Sequence, residues 1–507
     1  MKLYNLRFSR KALFVIVMML GAFHSAQAAD KALLDILLGN GAITQEQYKS
    51  LLEKESLSSD DLIASAEPEK VVVKQDVVAP TKSTAKIYDA DGEYEMASDN
   101  DAYIRSVVTD SISTKIESDF PVKASHGSKG FRMETRDGNW QTNLQWRAQL
   151  RFTNPFFGDP RQSSSFDADG TSNFEARRLR MKIGGHGFQP WLKYYFEVDL
   201  QPSRDPDSSA VSSSARVIDW RIDIAKWDWG GFRVGQWKVD MNRERVDSSG
   251  RQQFVERSIV NRVFTVDRQV GVQVRGHAFK ESAADLRYYL GVFNGEGRGV
   301  RNVNEDMMYV GRLQWNFMGR DLGLRQTDVE YTDKPTGSLA FGGMTTNGPC
   351  TRWSSSGCGN LDGFDSPIVA DGDQFKVEQG VQEFAFKYRG LSIQQEFHRK
   401  FITDEVAGSK SDLTGAYLQS GYFFHNMFAA VPPQLELAVR YAFVEEPNKS
   451  DRLFDNEREE YTLAANWFFA GHNNKLTLDY SYLTLDDGLT GIDNSESRIR
   501  FQWDVSF

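Results

Sequence analysis

The chain has 507 residues, with 70 acidic residues against 60 Lys and Arg, so its formal net charge is -10. This charge excludes a general attraction of the whole molecule to nucleic acid or other polyanions. Aromatic residues are frequent (34 Phe, 18 Tyr and 11 Trp), yet the mean hydropathy is only -0.50. Length alone would suit about two or three soluble domains.

Residues 1–28 are predicted to be a secretory signal peptide. A basic start precedes the apolar run from Ala12 to Phe23, and Ala26, Gln27 and Ala28 supply a small-residue cleavage site. No later run approaches the roughly 20 apolar residues that a membrane-spanning helix needs. If the exported protein lies in a membrane, it must therefore cross as a closed barrel, because lipid cannot satisfy unpaired backbone groups.

Residues 30–55 carry a short helical pattern, interrupted at Gly39-Asn40-Gly41, with Thr44 and Gln47 placed as a capping box for a second helix. Two such short helices cannot bury their apolar faces alone, so we expect self-association or a partner. Residues 56–129 are rich in Ser, Asp, Glu and Lys and are predicted to be a polar linker.

Residues 130–507 are predicted to form an all-β transmembrane barrel of sixteen antiparallel strands. Apolar and polar residues alternate strictly over residues 140–152, which is too long for an ordinary domain strand of about 5 or 6 residues and is typical of a tilted membrane strand. The same period predicts strands at 140–152, 174–184, 191–201, 216–227, 231–238, 269–279, 286–293, 307–317, 336–345, 380–389, 391–400, 413–424, 434–444, 459–469, 475–485 and 497–507.

Short and long connections should alternate in such a barrel. The connections after predicted strands 2, 4, 10 and 14 are short, whereas those after strands 1, 3, 5, 9 and 11 are long. Residues 318–335 are an exception, because they form a long connection on the short side. The strand that follows them, 336–345, therefore has the least certain register.

The inward, polar strand faces hold more bases than acids, and most of these bases lie in the first eight strands. A basic lumen concentrates anions, and guanidinium groups bind oxyanions through two hydrogen bonds. The predicted anion pathway consists of Arg147, Arg151, Arg178, Arg180, Lys182, Arg221, Arg233, Arg275, Arg287 and Arg312. The alternative is that these charges only solvate a wide lumen and pair with acids, as in a general, non-selective porin.

The long connection after the fifth strand, residues 239–268, is the predicted constriction loop. It carries apolar residues such as Phe254, Ile259 and Phe264, which a freely solvated loop would not favour, so we expect it to fold into the barrel and narrow it. Its basic residues are Arg243, Arg245, Arg251, Arg257, Arg262 and Arg268.

Four stretches of the barrel region resemble the phosphate-selective porins O and P. They are Phe174-Glu-Ala-Arg-Arg-Leu-Arg-Met-Lys-Ile-Gly-Gly, Trp191-Leu-Lys-Tyr-Tyr-Phe-Glu-Val-Asp-Leu, Val234-Gly-Gln-Trp-Lys238, and Phe254-Val-Glu-Arg-Ser-Ile-Val-Asn261 followed by Asp267-Arg-Gln-Val-Gly271. The resemblance implies a trimeric, 16-stranded outer-membrane porin with an inward third loop and an arginine ladder that conducts anions. It assigns Arg257 to the constriction loop and Arg178 and Arg180 to the basic wall.

The chain departs from that family where Val239-Asp240-Met241-Asn242 replaces a common Pro-Phe pair, which weakens the inference of phosphate itself. We therefore expect a homotrimer in outer-membrane lipids of a Gram-negative bacterium that passes small inorganic anions such as phosphate, with its N-terminal segment in the periplasm. The C-terminal Phe507 resembles the terminal signature of such barrels. No cofactor, metal site or nucleic-acid partner is expected.

Three further features bear on the alternatives. Cys350 and Cys358, in an exported chain, are predicted to form a disulfide that pins a loop. An outer-membrane enzyme would need a base beside a nucleophile, and His398 is the one histidine placed on a strand where this could occur. A surface adhesin is the third possibility.

Overall fold

The computed structural model describes residues 86–88, 94–96, 122–155, 172–200, 215–355, 357–364, 372–447 and 455–507. The chain forms two compact units, Met1–Asp119 and Phe120–Phe507. In the first unit, β1 (Lys86–Tyr88) and β2 (Tyr94–Met96) form a two-stranded antiparallel sheet. The predicted signal peptide and helical segment lie outside the described residues, as does most of the predicted linker.

The second unit is a closed antiparallel barrel of sixteen strands, which confirms the predicted fold class. The barrel strands are β5 (Gln141–Asn154), β6 (Asn173–Gly187), β7 (Gln189–Asp199), β8 (Arg216–Trp227), β9 (Gly230–Lys238), β10 (Arg268–Ala278), β11 (Leu286–Phe293), β12 (Met308–Trp315), β13 (Thr336–Gly348), β16 (Phe375–Tyr388), β17 (Leu391–Asp404), β18 (Ser409–Tyr422), β19 (Leu435–Pro447), β20 (Asp455–Phe468), β21 (Asn474–Asp487) and β22 (Ile492–Ser506). A hairpin of β3 (Val122–Gly127) and β4 (Gly130–Thr135) precedes them, and β14 (Arg352–Ser354) pairs with β15 (Gly357–Gly359) within a loop.

Each of the sixteen predicted strands overlaps one barrel strand, including the strand of least certain register, which begins at Thr336. One predicted long connection is wrong. Residues 405–408 form a short turn between β17 and β18, because both strands continue in register as far as Asp404 and Ser409. The long connection at residues 316–335 is present.

The strand faces are arranged with the polar side chains inside. On β5, Trp146 and Leu150 are 45% and 46% exposed, whereas Arg147, Gln149 and Arg151 between and beside them are buried. A soluble domain would bury the apolar face instead. This inversion is what a barrel in lipid requires, since its outer surface meets hydrocarbon and its polar face lines a lumen.

The barrel closes where its last strand meets its first. β22 pairs with β5 from Ile499 opposite Asn154 to Ser506 opposite Arg147. Beyond that point Phe507 exchanges two backbone hydrogen bonds with Trp146, of 2.9 and 3.1 Å. β4 pairs with the rest of the same β5 edge, so the edge remains covered.

The connections at the two barrel ends differ in length. One end has tight turns, such as Phe188 and Arg389-Gly390, and the other has the longer connections. The longest fully described connection at that second end, residues 239–267, contains α1 (Arg243–Val246) and α2 (Ile259–Phe264). Within the described part of the chain, no helix is long and apolar enough to cross a membrane.

Candidate functional site

Residues 239–267, hereafter the inner loop, fold into the barrel and pack against its far wall. The apolar side chains Val260, Val263 and Phe264 of α2 are fully buried. Phe264 stacks on His398 of β17 with ring centroids 5.2 Å apart. The Arg440 guanidinium of β19 lies 4.3 Å from the ring centroid of Phe254. The apolar residues that are unusual for a solvated loop therefore pack the inner loop against the barrel wall.

Wall carboxylates also hold the backbone of the inner loop. Glu396 accepts a hydrogen bond from the Glu244 N–H (2.6 Å), and Glu460 accepts one from the Ile259 N–H (2.9 Å). Asp479 accepts a third bond from the Val255 N–H (2.9 Å). Buried backbone donors need such partners. These acids of β17, β20 and β21 are thus occupied in fixing the loop.

The opposite side of the lumen contains a cavity of about 750 Å³, hereafter the chamber. Its wall comes from β6 to β10, and the inner loop, residues 321–332, Thr336 of β13 and Lys387 of β16 supply further lining. Nine Lys and Arg residues line it against six Asp and Glu residues. The basic residues are Arg180, Lys182, Arg221, Arg233, Lys238, Arg251, Arg275, Arg325 and Lys387. The chamber therefore carries excess positive charge within an acidic protein.

Three arginines in the chamber share two aspartates. Arg233 donates to Asp223 (2.5 Å), and Arg221 lies 3.4 Å from the other oxygen of the same carboxylate. Arg275 donates to Asp240 (3.2 Å), which also lies 3.8 Å from Arg233. Each guanidinium has five N–H donors, so these contacts leave donors available to a passing oxyanion.

Residues 147–505 match the family described as phosphate-selective porin O and P. The chain belongs to this family. It is a porin of the outer membrane, and the expected family is confirmed.

Among solved structures, similar barrels include a loop L8 deletion mutant of OmpT, an outer membrane protein of Vibrio cholerae, at 10% identity and a TM-score of 0.48, covering 72% of this chain and 99% of that one. The outer membrane channel DcaP of Acinetobacter baumannii has 10% identity and a TM-score of 0.45, covering 72% and 97%. An anion-selective porin from Comamonas acidovorans has 10% identity and a TM-score of 0.42, covering 72% and 98%. No curated protein matches the sequence.

The porin brings together only part of the predicted anion pathway. Arg180, Lys182, Arg221, Arg233 and Arg275 line the chamber. The other five predicted residues lie outside the chamber lining, and each has a protein partner. Arg147 donates to Ser249, Arg151 to Glu256, Arg178 to Gln149, Arg287 to Asp321 and Arg312 to Glu383.

Most arginines of the predicted constriction loop form hydrogen bonds within the protein and do not line the chamber. Arg257 donates to the backbone oxygens of Glu244 (2.8 Å) and Asp247 (2.7 Å), so it ties the two halves of the loop together. Arg251 alone of the six lines the chamber. The remaining four lie elsewhere: Arg243 donates to Ser338, Arg245 to Asp267 and Arg268 to Asp219, and Arg262 is half-buried on α2.

Three chamber bases were absent from the predicted site: Lys238, Arg325 and Lys387. Lys238 is the last residue of β9, where strict alternation would turn it outward. Its ammonium instead donates to the backbone carbonyl of Asp247 (3.0 Å) in the inner loop. Arg325 lies in a connection with no strand period to reveal it. Lys387 occupies an inward position in the alternation of β16, and this pattern is the sequence signal by which it could have been included.

Two weaker sequence features also have defined surroundings. His398 shares a 3.0 Å hydrogen bond with Glu396, and its Nδ1 has no partner, so no Ser or Cys nucleophile bonds the ring among the described residues. Cys350 and Cys358 are joined in a disulfide with their Cα atoms 5.7 Å apart. The disulfide spans the β14–β15 pair, and Trp353 of this pair is buried.

Proposed function

We propose that this porin is a passive diffusion channel for small anions, with phosphate or a related oxyanion as its preferred solute. The observation that carries the proposal is the chamber, where nine bases face six acids beside the inner loop. Fixed charge in a confined cavity of low-dielectric walls focuses the field and concentrates counter-ions. Permanently ionised guanidinium groups add hydrogen bonds suited to oxyanions.

In this proposal the pathway is off-centre. The inner loop fills the side of the lumen next to β17 to β21 with buried apolar and hydrogen-bonded residues. Water and ions therefore pass along the β6 to β10 wall, where the unbalanced bases lie. The inner loop narrows the pore, and Arg251 is its basic contribution to the pathway.

The test is conductance in a planar bilayer. Purified protein in a KCl gradient should give a reversal potential displaced toward the equilibrium potential of chloride. Phosphate in the submillimolar range should then reduce the chloride current, with sulfate as an oxyanion control. A displacement toward potassium would contradict anion preference, and equal block by sulfate and phosphate would remove the claim for phosphate.

A non-selective porin is the second candidate, and ion pairing favours it. Arg180 with Glu197, Arg312 with Glu383 and Arg500 with Asp479 are all close pairs at 2.7 to 2.8 Å. If such pairing cancels the field throughout the lumen, the reversal potential will lie near zero. The same bilayer measurement therefore separates the two candidates.

Assembly and orientation complete the proposal. We infer a homotrimer from the family resemblance, to be measured by native mass spectrometry of the detergent-solubilised protein. The end with tight turns faces the periplasm, so the segment that precedes the barrel is also periplasmic, and residues 1–28 are removed on export. Protease added to intact cells should leave that segment uncut if this orientation is correct.

A further inference from the structure

A second element enters the barrel from the end with tight turns. Residues 316–335, hereafter the inserted connection, join β12 to β13. Leu322, Gln326, Thr327 and Asp328 of this connection are buried. A connection that only crossed the barrel mouth would remain solvated. Its buried polar side chains require partners, and those partners lie on the inner loop and on the barrel wall.

The inserted connection forms hydrogen bonds with the inner loop from the side of the barrel end with tight turns. Gln326 accepts a hydrogen bond from the Gln253 N–H (2.7 Å) and donates its amide to Gln252 Oε1 (2.9 Å). In return, Arg243 of the inner loop donates to the Gly323 carbonyl (2.7 Å). The two elements are therefore joined by hydrogen bonds into one unit inside the barrel.

The barrel wall fixes the other side of this unit. Lys387 of β16 donates to the Thr327 carbonyl (2.6 Å), and Asp328 accepts a bond from the Gly390 N–H (2.7 Å). The Thr327 hydroxyl bonds His472 (3.0 Å) in the turn between β20 and β21. Anchors at β16 with its following turn, and at the turn between β20 and β21, keep the connection in one position within the barrel.

We infer that the inserted connection is a second selectivity element, in series with the inner loop, and that Arg325 is its specificity-determining residue. Leu324, Arg325 and Glu330 line the chamber together with Arg251 of the inner loop. An anion that passes the inner loop therefore meets a second guanidinium before it leaves. This inference rests on the proposed function and adds where the selection occurs.

The pairing of Arg325 leaves it able to act on a permeating anion. Its guanidinium contacts Glu330, but the two side chains are 36% and 70% exposed. Exposed ion pairs contribute little net free energy, so an oxyanion can replace the Glu330 carboxylate. Partial burial and the nearby Arg251 charge lower the pKa of Arg325, in keeping with two bases that face one space.

The experiment compares single-charge variants in the bilayer. Arg325→Gln should lower the anion-to-cation permeability ratio by about twofold, the effect of a unit charge at about 10 Å in a water-like dielectric. Glu330→Gln should raise the ratio, because it removes the competing carboxylate. Lys334→Gln is the matched control, since Lys334 is exposed on the same connection and does not line the chamber.

A cysteine variant gives an independent measurement. In Arg325→Cys, a cationic thiol reagent should restore the permeability ratio, and an anionic reagent should lower it further. If the wild type is anion-selective but both Gln variants behave like the Lys334 control, the inference is overturned and the proposed function stands. A wild type without anion preference would overturn the proposed function, and the inference with it.

Discussion

Replacement of Arg275 by Gln tests the charge balance of the chamber most directly. Arg221, Arg233 and Arg275 with Asp223 and Asp240 leave one net positive charge. Arg275→Gln brings this group to neutrality, and Asp240→Asn brings it to two positive charges. The Arg275 side chain is 26% exposed, so an anion can approach it closely.

The size of the effect follows from Coulomb's law. An anion at about 5 Å from the guanidinium gains about 0.8 kcal/mol in a water-like dielectric, and loss of that energy lowers its occupancy about fourfold. The permeability ratio, obtained from the reversal potential in a KCl gradient, should fall by about that factor in Arg275→Gln. Asp240→Asn should raise the ratio by a comparable amount.

The control for overall charge is Arg399→Gln. Arg399 is exposed on the outer face of β17, where it contacts Asp412, so its loss removes one charge without altering the lumen. The ratio in this variant should equal that of the wild type. If Arg275→Gln and Asp240→Asn also leave the ratio unchanged, anions do not pass through the chamber, and the argument from its charge is wrong.

Three other predictions concern Gln326, His472 and the disulfide. Gln326→Ala removes two hydrogen bonds that hold the inner loop, at about 1 kcal/mol each, so single-channel records should show flicker. The control Gln395→Ala, at a buried β17 residue whose amide donates to Gln382, should not show it. Burial, reinforced by Lys475 and other bases, lowers the pKa of His472 well below 6.5. The contribution of the neutral His472 side chain to folding stability is therefore complete above pH 6.5 and is lost as the pH falls, because the unfolded chain then binds a proton that the folded protein does not. The temperature of heat unfolding should accordingly fall less in His472→Gln than in the wild type between about pH 7 and 5. Reduction of the Cys350–Cys358 disulfide should leave the β content in circular dichroism unchanged but speed proteolysis within residues 349–374, and equal cleavage rates would show that the disulfide does not hold this loop.

The strands were predictable because their signal is local. Alternation depends only on which residue types succeed one another, so it located all sixteen barrel strands and turned Arg221, Arg233 and Arg275 inward. The same rule could not say which inward bases meet an acid. The pairing of Arg312 with Glu383, for example, joins two strands that are not neighbours in the barrel.

The contacts made by the irregular elements could not be predicted, for a different reason. Arg257 was assigned to the constriction loop and lies on the inner loop, where its guanidinium donates to three backbone carbonyls of that loop. Such contacts depend on loop coordinates, which no residue period encodes. The length of residues 316–335 marked that connection as unusual, yet only its burial against Gln252 and Gln253 revealed its position.

The seam between β5 and β22 has a consequence for biogenesis. These two strands lie at opposite ends of the barrel sequence, and each leaves one row of backbone donors and acceptors bare until they meet. In hydrocarbon such a bare row is costly, and in water it invites pairing with another chain. Partial barrels are therefore poor intermediates in either solvent, and a chain whose β22 is blocked should accumulate as a protease-sensitive species rather than as a smaller pore.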